Sequence, residues 1–495
     1  MGIPVFHRPL VFQRVRTHAP QSPKIQWDSL GGGAMLFRQI INEDLGCASY
    51  IVGDPESGVA AVIDPQWDIS PYLEAAASRG MRIGHILETH THADHVSGRG
   101  RLHQATGARM HVSPLAGAAF PHDALPDGAI VDLGQVRLEA IHLPGHRPEH
   151  TGMLVVDASR GDDPWAVLTG DSLFVGDVGR PDLAVDAEEG ARDQYTSIGR
   201  LMALPDWVEV YPGHIGGSLC GSTAISAKTS STIGYERAHS PLLRDIDAGA
   251  FTAELIARLA VKPPDLDRVV GMNNGPLITP TAPAPALEGA EFLRRAEAGG
   301  LVIDGRSSAA FAAAHVPRSL SVPTAGSGFA TRAALVAGRD DQLLLVGSDE
   351  VQARDMAERL AAVGRREVIG VLAGGFSAYL DEGLPTSAIQ RVRAVDLPDL
   401  LSDQPDILVV DVRDHSEYIA FHIPGSVNRP YWAFRDGPGD IPTGRSLAVI
   451  CAAGKRSGLA ASALAREGRG PIIHVDNGGV QTLEGMGIPM ERPGN

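Results

Sequence analysis

The chain has 495 residues, a net charge of −16, 43% hydrophobic and 21% charged side chains; at ~150 residues per domain this suggests about three globular domains. The acidic balance and the lack of any long basic block argue against a nucleic-acid partner and for small molecules. No apolar run approaches the ~20 residues of a membrane span, and three scattered cysteines, Cys47, Cys220 and Cys451, argue for a reducing, cytoplasmic setting without a disulfide framework.

Residues 1–34 carry Arg8, Arg14, Arg16 and Lys24 against a single acid, Asp28. An organellar leader and a disordered extension (or a start assigned too far upstream) both fit, and the disordered extension is the favoured expectation. From Met35–Ile41 onward, short apolar strands alternate with loops and helical stretches. They include Ala60–Asp64, Ile83–Leu87, Val136–Ile141, Met153–Val156, Ala166–Leu168 and Val208–Tyr211. Polar side chains of ligand type collect where these strands end, which predicts a layered α/β domain with its site at one sheet edge.

The densest such cluster is Thr89-His90-Thr91-His92-Ala93-Asp94-His95. Three imidazoles and a carboxylate at a strand end need a cation or a dense hydrogen-bond net to offset their desolvation. Later strands supply His146 in Leu-Pro-Gly-His, Asp171 in Thr-Gly-Asp and His214 in Tyr-Pro-Gly-His. A glycine before each lets the backbone turn tightly over the sheet end. Residues 222–262 are predicted to be mostly helical, with a stripe of Phe251, Leu255, Ile256 and Leu259. The Pro-rich segment Leu277–Ala286 reads as a linker.

Over residues 35–240 this pattern resembles the metallo-β-lactamase superfamily. Within it, Asp44-Leu-Gly-Cys-Ala-Ser-Tyr50, the 89–95 cluster and Thr169-Gly-Asp-Ser-Leu-Phe174 are most similar to the persulfide dioxygenases. That resemblance implies one Fe(II) per chain held by His90, His146 and Asp171. Two imidazoles and one carboxylate with open positions are also what an oxygen-activating iron site needs. His92, Asp94, His95 and His214 would then act around those ligands or hold a second metal, so a site with one or two Zn, like that of glyoxalase II, stays open. Cys220, close in sequence to His214, reads equally as a sulfur acceptor and as a small buried thiol. Cys47, in a strand-like segment, is expected in the core.

Beyond the linker the chain echoes itself. Leu301–Arg306, His315-Val-Pro317, Leu343–Val346 and Gly374-Gly-Phe376 are answered by Ile407–Arg413, His422–Gly425, Leu447–Ile450 and Gly478-Gly-Val480. This predicts two homologous α/β domains in tandem. Cys451-Ala452-Ala453-Gly454-Lys455-Arg456 follows a strand and precedes an Ala-rich helical stretch, Ser457–Arg466. A helix N-terminus and two bases beside a cysteine favour the thiolate. The motif, with its flanking elements, resembles the rhodaneses and implies that Cys451 carries sulfur and that residues 452–456 cradle it. Related phosphatase loops are one residue longer, which favours sulfur transfer over phosphate hydrolysis. In the first repeat the corresponding loop, Gly347–Gln352, has no thiol and has acids in place of bases, so that domain is expected to be inactive.

The expected fold class is therefore α/β, an N-terminal αββα metallo-β-lactamase sandwich followed by two rhodanese-like α/β domains. The expected boundaries are an extension over 1–34, the metal domain over 35–275 with a helical C-terminal part, a linker over 276–287, an inactive rhodanese-like domain over 288–388 and an active one over 393–495. The expected reaction is oxidation of a low-molecular-weight thiol persulfide by O2 to sulfite, coupled to rhodanese chemistry that forms or uses thiosulfate. The alternative is a zinc-dependent thioester hydrolase with appended rhodanese modules. The carrier thiol and the oligomeric state, a homo-oligomer included, are left open.

Overall fold

Strand alternation builds the metal domain. In Cys47–Asp54 every residue is buried, and its two faces enter different cores. Ala48, Tyr50 and Val52 meet one cluster while Ile51 meets another. A strand covered on both faces must lie inside a layered structure. The computed structural model describes residues 35–492 other than 217, 219, 221–224, 245, 246, 260, 261, 263, 264, 280 and 281. The extension expected over 1–34 lies outside the described residues.

The first sheet has six strands in the spatial order Leu36–Asn42, Cys47–Asp54, Val59–Ile63, Arg82–Leu87, Arg109–Val112 and Asp123–Ala124. The second runs Ser231–Thr232, Glu209–Pro212, Ala166–Gly170, Thr151–Asp157, Val136–His142 and Ile130–Asp132. Tyr50, Ile63 and Leu87 of the first sheet interdigitate with Leu138, Met153 and Leu168 of the second. Each such fully buried side chain contributes about 1.5–3 kcal/mol. The helices Ser70–Ala77 and Arg99–Thr106 cover the outer face of the first sheet through Tyr72, Ala75 and Leu102. The helices Ala187–Met202 and Ala248–Ala257 cover the second through Ile198, Leu201, Phe251 and Leu255. The layers are αββα.

Two sequence readings need correction. The region 222–262 is less helical than expected: Ser231–Thr232 adds an edge strand against Glu209–Pro212, and only Ile233–His239 and Ala248–Ala257 are helices among its described residues. Pairing with an open sheet edge overrides local propensity there. Of the expected stripe, Phe251 and Leu255 are buried, whereas Ile256 and Leu259 are half-buried. The Pro-rich stretch also ends in structure, since Ala286–Leu287 pairs in parallel with Val368–Leu372.

Two five-stranded parallel sheets follow. Their orders are Ala286–Leu287, Val368–Leu372, Leu343–Val346, Leu301–Asp304, Leu320–Ser321 and Gln390–Arg393, Ile472–Asp476, Leu447–Ile450, Leu408–Asp411, Val427–Asn428. The echo extends to side chains. Asp304 pairs with Arg306 and Asp411 with Arg413, and each arginine also donates to a carbonyl eight residues on, Ala314 or Phe421. His315 stacks on Phe311, and His422 stacks on Tyr418. The two domains share one core, in which Phe329 and Ala333 of the first join Leu459 and Ala460 of the second. The metal domain docks on both: Val96 N–H donates to Ala362 O at 2.7 Å, and Asp265 pairs with Arg365 and with Arg435. Among the described residues, no helix is long and apolar enough to cross a membrane.

Candidate metal centre and sulfur-carrying loop

The strand Val59–Ile63 ends at Asp64, which turns with φ 52° and faces the end of the neighbouring strand Arg82–Leu87. Asp64 accepts from Thr89 N at 2.7 Å and from Thr89 Oγ1 at 2.9 Å. With its proton committed to Asp64, the Thr89 hydroxyl oxygen accepts from His90 Nδ1, 2.9 Å away. His90 Nε2 therefore keeps a lone pair. His146 Nδ1 donates to Arg180 O at 3.0 Å and likewise leaves Nε2 as a lone pair. Gly145 before it has φ 138°, and a Cβ there would press into Gln194, so only glycine makes this turn. Asp171 Oδ1 accepts from His214 Nδ1 at 2.7 Å, leaving Oδ2 over.

These three leftover atoms meet. Asp171 Oδ2 lies 3.4 Å from His146 Nε2 and 3.8 Å from His90 Nε2. All three are buried without a hydrogen-bond partner among the described residues. Buried polar atoms that converge unpartnered cost free energy unless something binds between them. Burial and the surrounding imidazoles hold the His90 pKa well below its ordinary value, and burial lowers that of His146. Burial opposes ionisation of Asp171, but His214 outweighs it and brings the carboxyl down to about 2. Neutral imidazoles and an ionised carboxylate are the forms that ligate a metal. The donor set fits one ion.

The remaining residues of the motif separate into two groups. Asp94, His95 and His214 gather with Cys47, all four donors lying within 4.8 Å of one another. Backbone pairing brings Cys47 there: Ala48 N donates to Gly213 O at 2.7 Å and Ile215 N to Gly46 O at 2.9 Å. Burial opposes its ionisation, yet His95 and His214 hold the Cys47 thiol below its usual pKa. The expectation that Cys47 is a core residue is thus only half right, since it is 2% exposed but faces the site. His92 turns away, with Nε2 3.3 Å from Asp64 Oδ1 and 3.3 Å from Glu88 Oε2. Against burial and His95, Asp64 and Glu88 hold its pKa up to about 9. His150, not singled out in the sequence, accepts from Asp171 N at 2.9 Å and stacks on His90. Its place four residues after His146 was the available signal. Cys220 lies near Asp171 and His214, packed with Phe174 and Ile225, and burial pushes its thiol well up.

In the last domain the strand Leu447–Ile450 delivers Cys451 to the start of the helix Lys455–Arg466. Gly454 N donates to the Sγ at 3.1 Å, and Ser457 Oγ lies 3.4 Å away. Arg456 pairs with Glu417 at 2.9 Å and with Asp414 at 3.4 Å. In the first repeat the matching loop is filled by Gln352, which accepts from Ser348 N at 2.6 Å and donates to Thr324 Oγ1 at 2.8 Å.

Fold and site together define an αββα domain with a candidate metal site, joined to two rhodanese-type sheets. Residues 42–214 match the metallo-β-lactamase superfamily, and residues 288–382 and 394–484 each match the rhodanese-like domain. The persulfide dioxygenase ETHE1 of Homo sapiens is 32% identical over 190 residues, covering 37% of this chain and 70% of the human protein. A hydroxyacylglutathione hydrolase of Methylococcus capsulatus is 34% identical over 172 residues, covering 33% of this chain, which spans only 60% of that relative. A metallo-β-lactamase structure from Staphylococcus aureus superposes with a TM-score of 0.62 at 28% identity, over 69% of this chain and 99% of that one. The chain belongs to the metallo-β-lactamase superfamily and carries tandem rhodanese-like domains.

Proposed function

We propose that the chain is an iron-dependent persulfide dioxygenase coupled to a rhodanese, with its work divided over residues 35–275, 288–388 and 393–495. A low-molecular-weight thiol persulfide is oxidised by O2, with water as the third oxygen source, to sulfite and the free thiol, and Cys451 forms or uses thiosulfate. The observation that carries this reading is the convergence of two imidazole nitrogens and one carboxylate oxygen, unpartnered and buried, with His92 outside the group. His90, His146 and Asp171 would hold Fe(II), which would supply the binding and activation of dioxygen.

The protein's own residues prepare that site. Thr89 and the Arg180 carbonyl fix the tautomers of the two imidazoles, and His214 orients Asp171. Their burial keeps bulk water from the donor atoms. In the last domain a sulfane sulfur carried on Cys451 passes to sulfite, which gives thiosulfate and returns the thiolate. The Gly454 N–H faces the sulfur through this exchange. One chain holding both chemistries keeps sulfite at high effective concentration. The buried, unpaired cysteines support a reducing, cytoplasmic setting.

A zinc-dependent thioester hydrolase is the second reading, favoured by the grouping of Asp94, His95 and His214. Metal analysis of anaerobically purified protein, paired with oxygen uptake on glutathione and coenzyme A persulfides, decides between them. One iron per chain with persulfide-dependent uptake is expected. Two zinc ions and no uptake would remove the dioxygenase.

A further inference from the structure

His90 and His92 sit two residues apart, with ring centroids 4.2 Å apart. His90 Nε2 points to the convergence with His146 and Asp171, but His92 does not join that group. It belongs instead to a second buried group with Asp64 and Glu88, whose carboxylates each approach its Nε2 to 3.3 Å as ion pairs without hydrogen-bond geometry. Both carboxylates are themselves anchored. Asp64 holds Thr89 through its backbone N–H and its hydroxyl. Glu88 accepts from Ser97 Oγ at 2.5 Å and faces Arg99 at 3.5 Å. Arg99 is in turn fixed over the Phe120 ring, 4.5 Å from its centroid. Neither acid can follow His92 without leaving buried partners unpaired, so the carboxylates hold the ring and not the reverse.

We propose that Asp64 and Glu88 form a latch that holds His92 off the metal and thereby sets the ligand count of the site. This inference rests on the one-metal reading above. With the latch closed, the ion sees two imidazoles and one carboxylate and keeps open positions, a set that suits Fe(II). With it open, His92 can swing to the ion and supply a third imidazole, a set that suits catalytic zinc. Asp64 has a double part, because the same carboxylate orients His90 through Thr89. Glu88 reaches the metal set through His92 and has no part in orienting His90 through Thr89 among the described residues, which makes it the cleaner residue to change.

The test compares wild type with Glu88→Ala, Glu88→Gln, His92→Ala and the double variant Glu88→Ala/His92→Ala. Each is loaded with Co(II), then with Fe(II) and Zn(II) in competition. The readouts are the visible absorption of bound Co(II) and the metal content per chain. His92→Ala should keep the wild-type spectrum and stoichiometry. Glu88→Ala should change the spectrum and raise the preference for zinc over iron by about 10-fold, and the double variant should return to the wild-type spectrum. Glu88→Gln, which keeps the volume beside Ser97 and Arg99, guards against misfolding and should shift the spectrum in the same direction as Glu88→Ala. Loss of metal or an altered spectrum in His92→Ala, or wild-type spectra in both Glu88 variants, would overturn the latch. Failure of the one-metal reading is separate and shows in wild type itself, as two zinc ions per chain.

Discussion

Cys47 Sγ lies 3.3 Å from His214 Nε2, within hydrogen-bonding reach of the imidazole. The same thiol is 3.6 Å from Asp94 Oδ2 and 3.7 Å from His95 Nδ1. The three side chains that a second ion would need are thus already engaged by a cysteine. Removing the thiol leaves three ligand-type groups facing a gap of about one atom. Cys47→Ala is therefore expected to raise zinc uptake in metal-supplemented medium from one ion per chain toward two. Elemental analysis checks this, and an unchanged stoichiometry would show that the thiol does not guard that position.

His214 acts on the other side through Asp171, whose Oδ1 it binds at 2.7 Å. His214→Ala frees the carboxylate to rotate and removes the charge that favours its ionised form. Loss of such an orienting partner commonly costs 10- to 100-fold in metal affinity. Chelator competition at fixed pH should show a loss of about that size. Affinity equal to wild type would assign Asp171 its orientation from elsewhere, such as the bond from its own N–H to His150.

Cys451 and the metal group lie in different sheets with different partners. Cys451→Ser should abolish thiosulfate formation while sparing persulfide-dependent oxygen uptake. No residual sulfur transfer is expected from the first repeat, where Gln352 fills the loop and no thiol is present. Parallel loss of both activities, followed by an oxygen electrode and a thiosulfate assay, would contradict the division of labour.

The arginine beside that cysteine makes a finer prediction. Arg456 is half-buried, which disfavours its charge, but Glu417 more than compensates and raises its pKa. Glu417→Ala unties the guanidinium and lets it move relative to the loop. The rate of sulfur transfer to sulfite should change several-fold, on the scale of about 1 kcal/mol at most for a partly exposed ion pair, with oxygen uptake unaltered. A steady-state assay of both reactions measures it.

The clustered histidines and the glycine-led His146, Asp171 and His214 are legible because each ligand type falls at a strand end within a few residues. Strands such as Val59–Ile63 and Leu447–Ile450 are legible from unbroken apolar runs. What escaped are relationships made only by tertiary pairing. Cys47 reads as core because its neighbours are apolar, and only the backbone bonds from 46–48 to 213–215 aim it at the site. Glu88 and Asp64 look like ordinary strand-end acids, and nothing local says that they share His92. Ser231–Thr232 is too short to carry a period and becomes a strand only against the edge offered by Glu209–Pro212.

Asp44 is a further residue of this kind, and it joins domains. Its Oδ1 accepts from Phe329 N at 2.6 Å, its Oδ2 from Ala330 N at 3.1 Å, and its carbonyl from Gly328 N at 2.8 Å. The helix Phe329–Val336 has no cap from its own N-cap residue, Gly328. The metal domain therefore supplies the missing acceptor for the first rhodanese-like domain. A carboxylate at a helix N-terminus also meets the positive end of the helix dipole. Asp44→Ala should cost about 1 kcal/mol, the usual worth of a cap, and Asp44→Asn, which can still accept, much less. Chemical denaturation of the two variants beside wild type reads the order directly. Because Asp44 is three residues from Cys47 on the same turn, metal content should be measured in parallel. Equal stability of Asp44→Ala and wild type would mean that the two domains are held together by Val96, Asp265 and their partners without this bond.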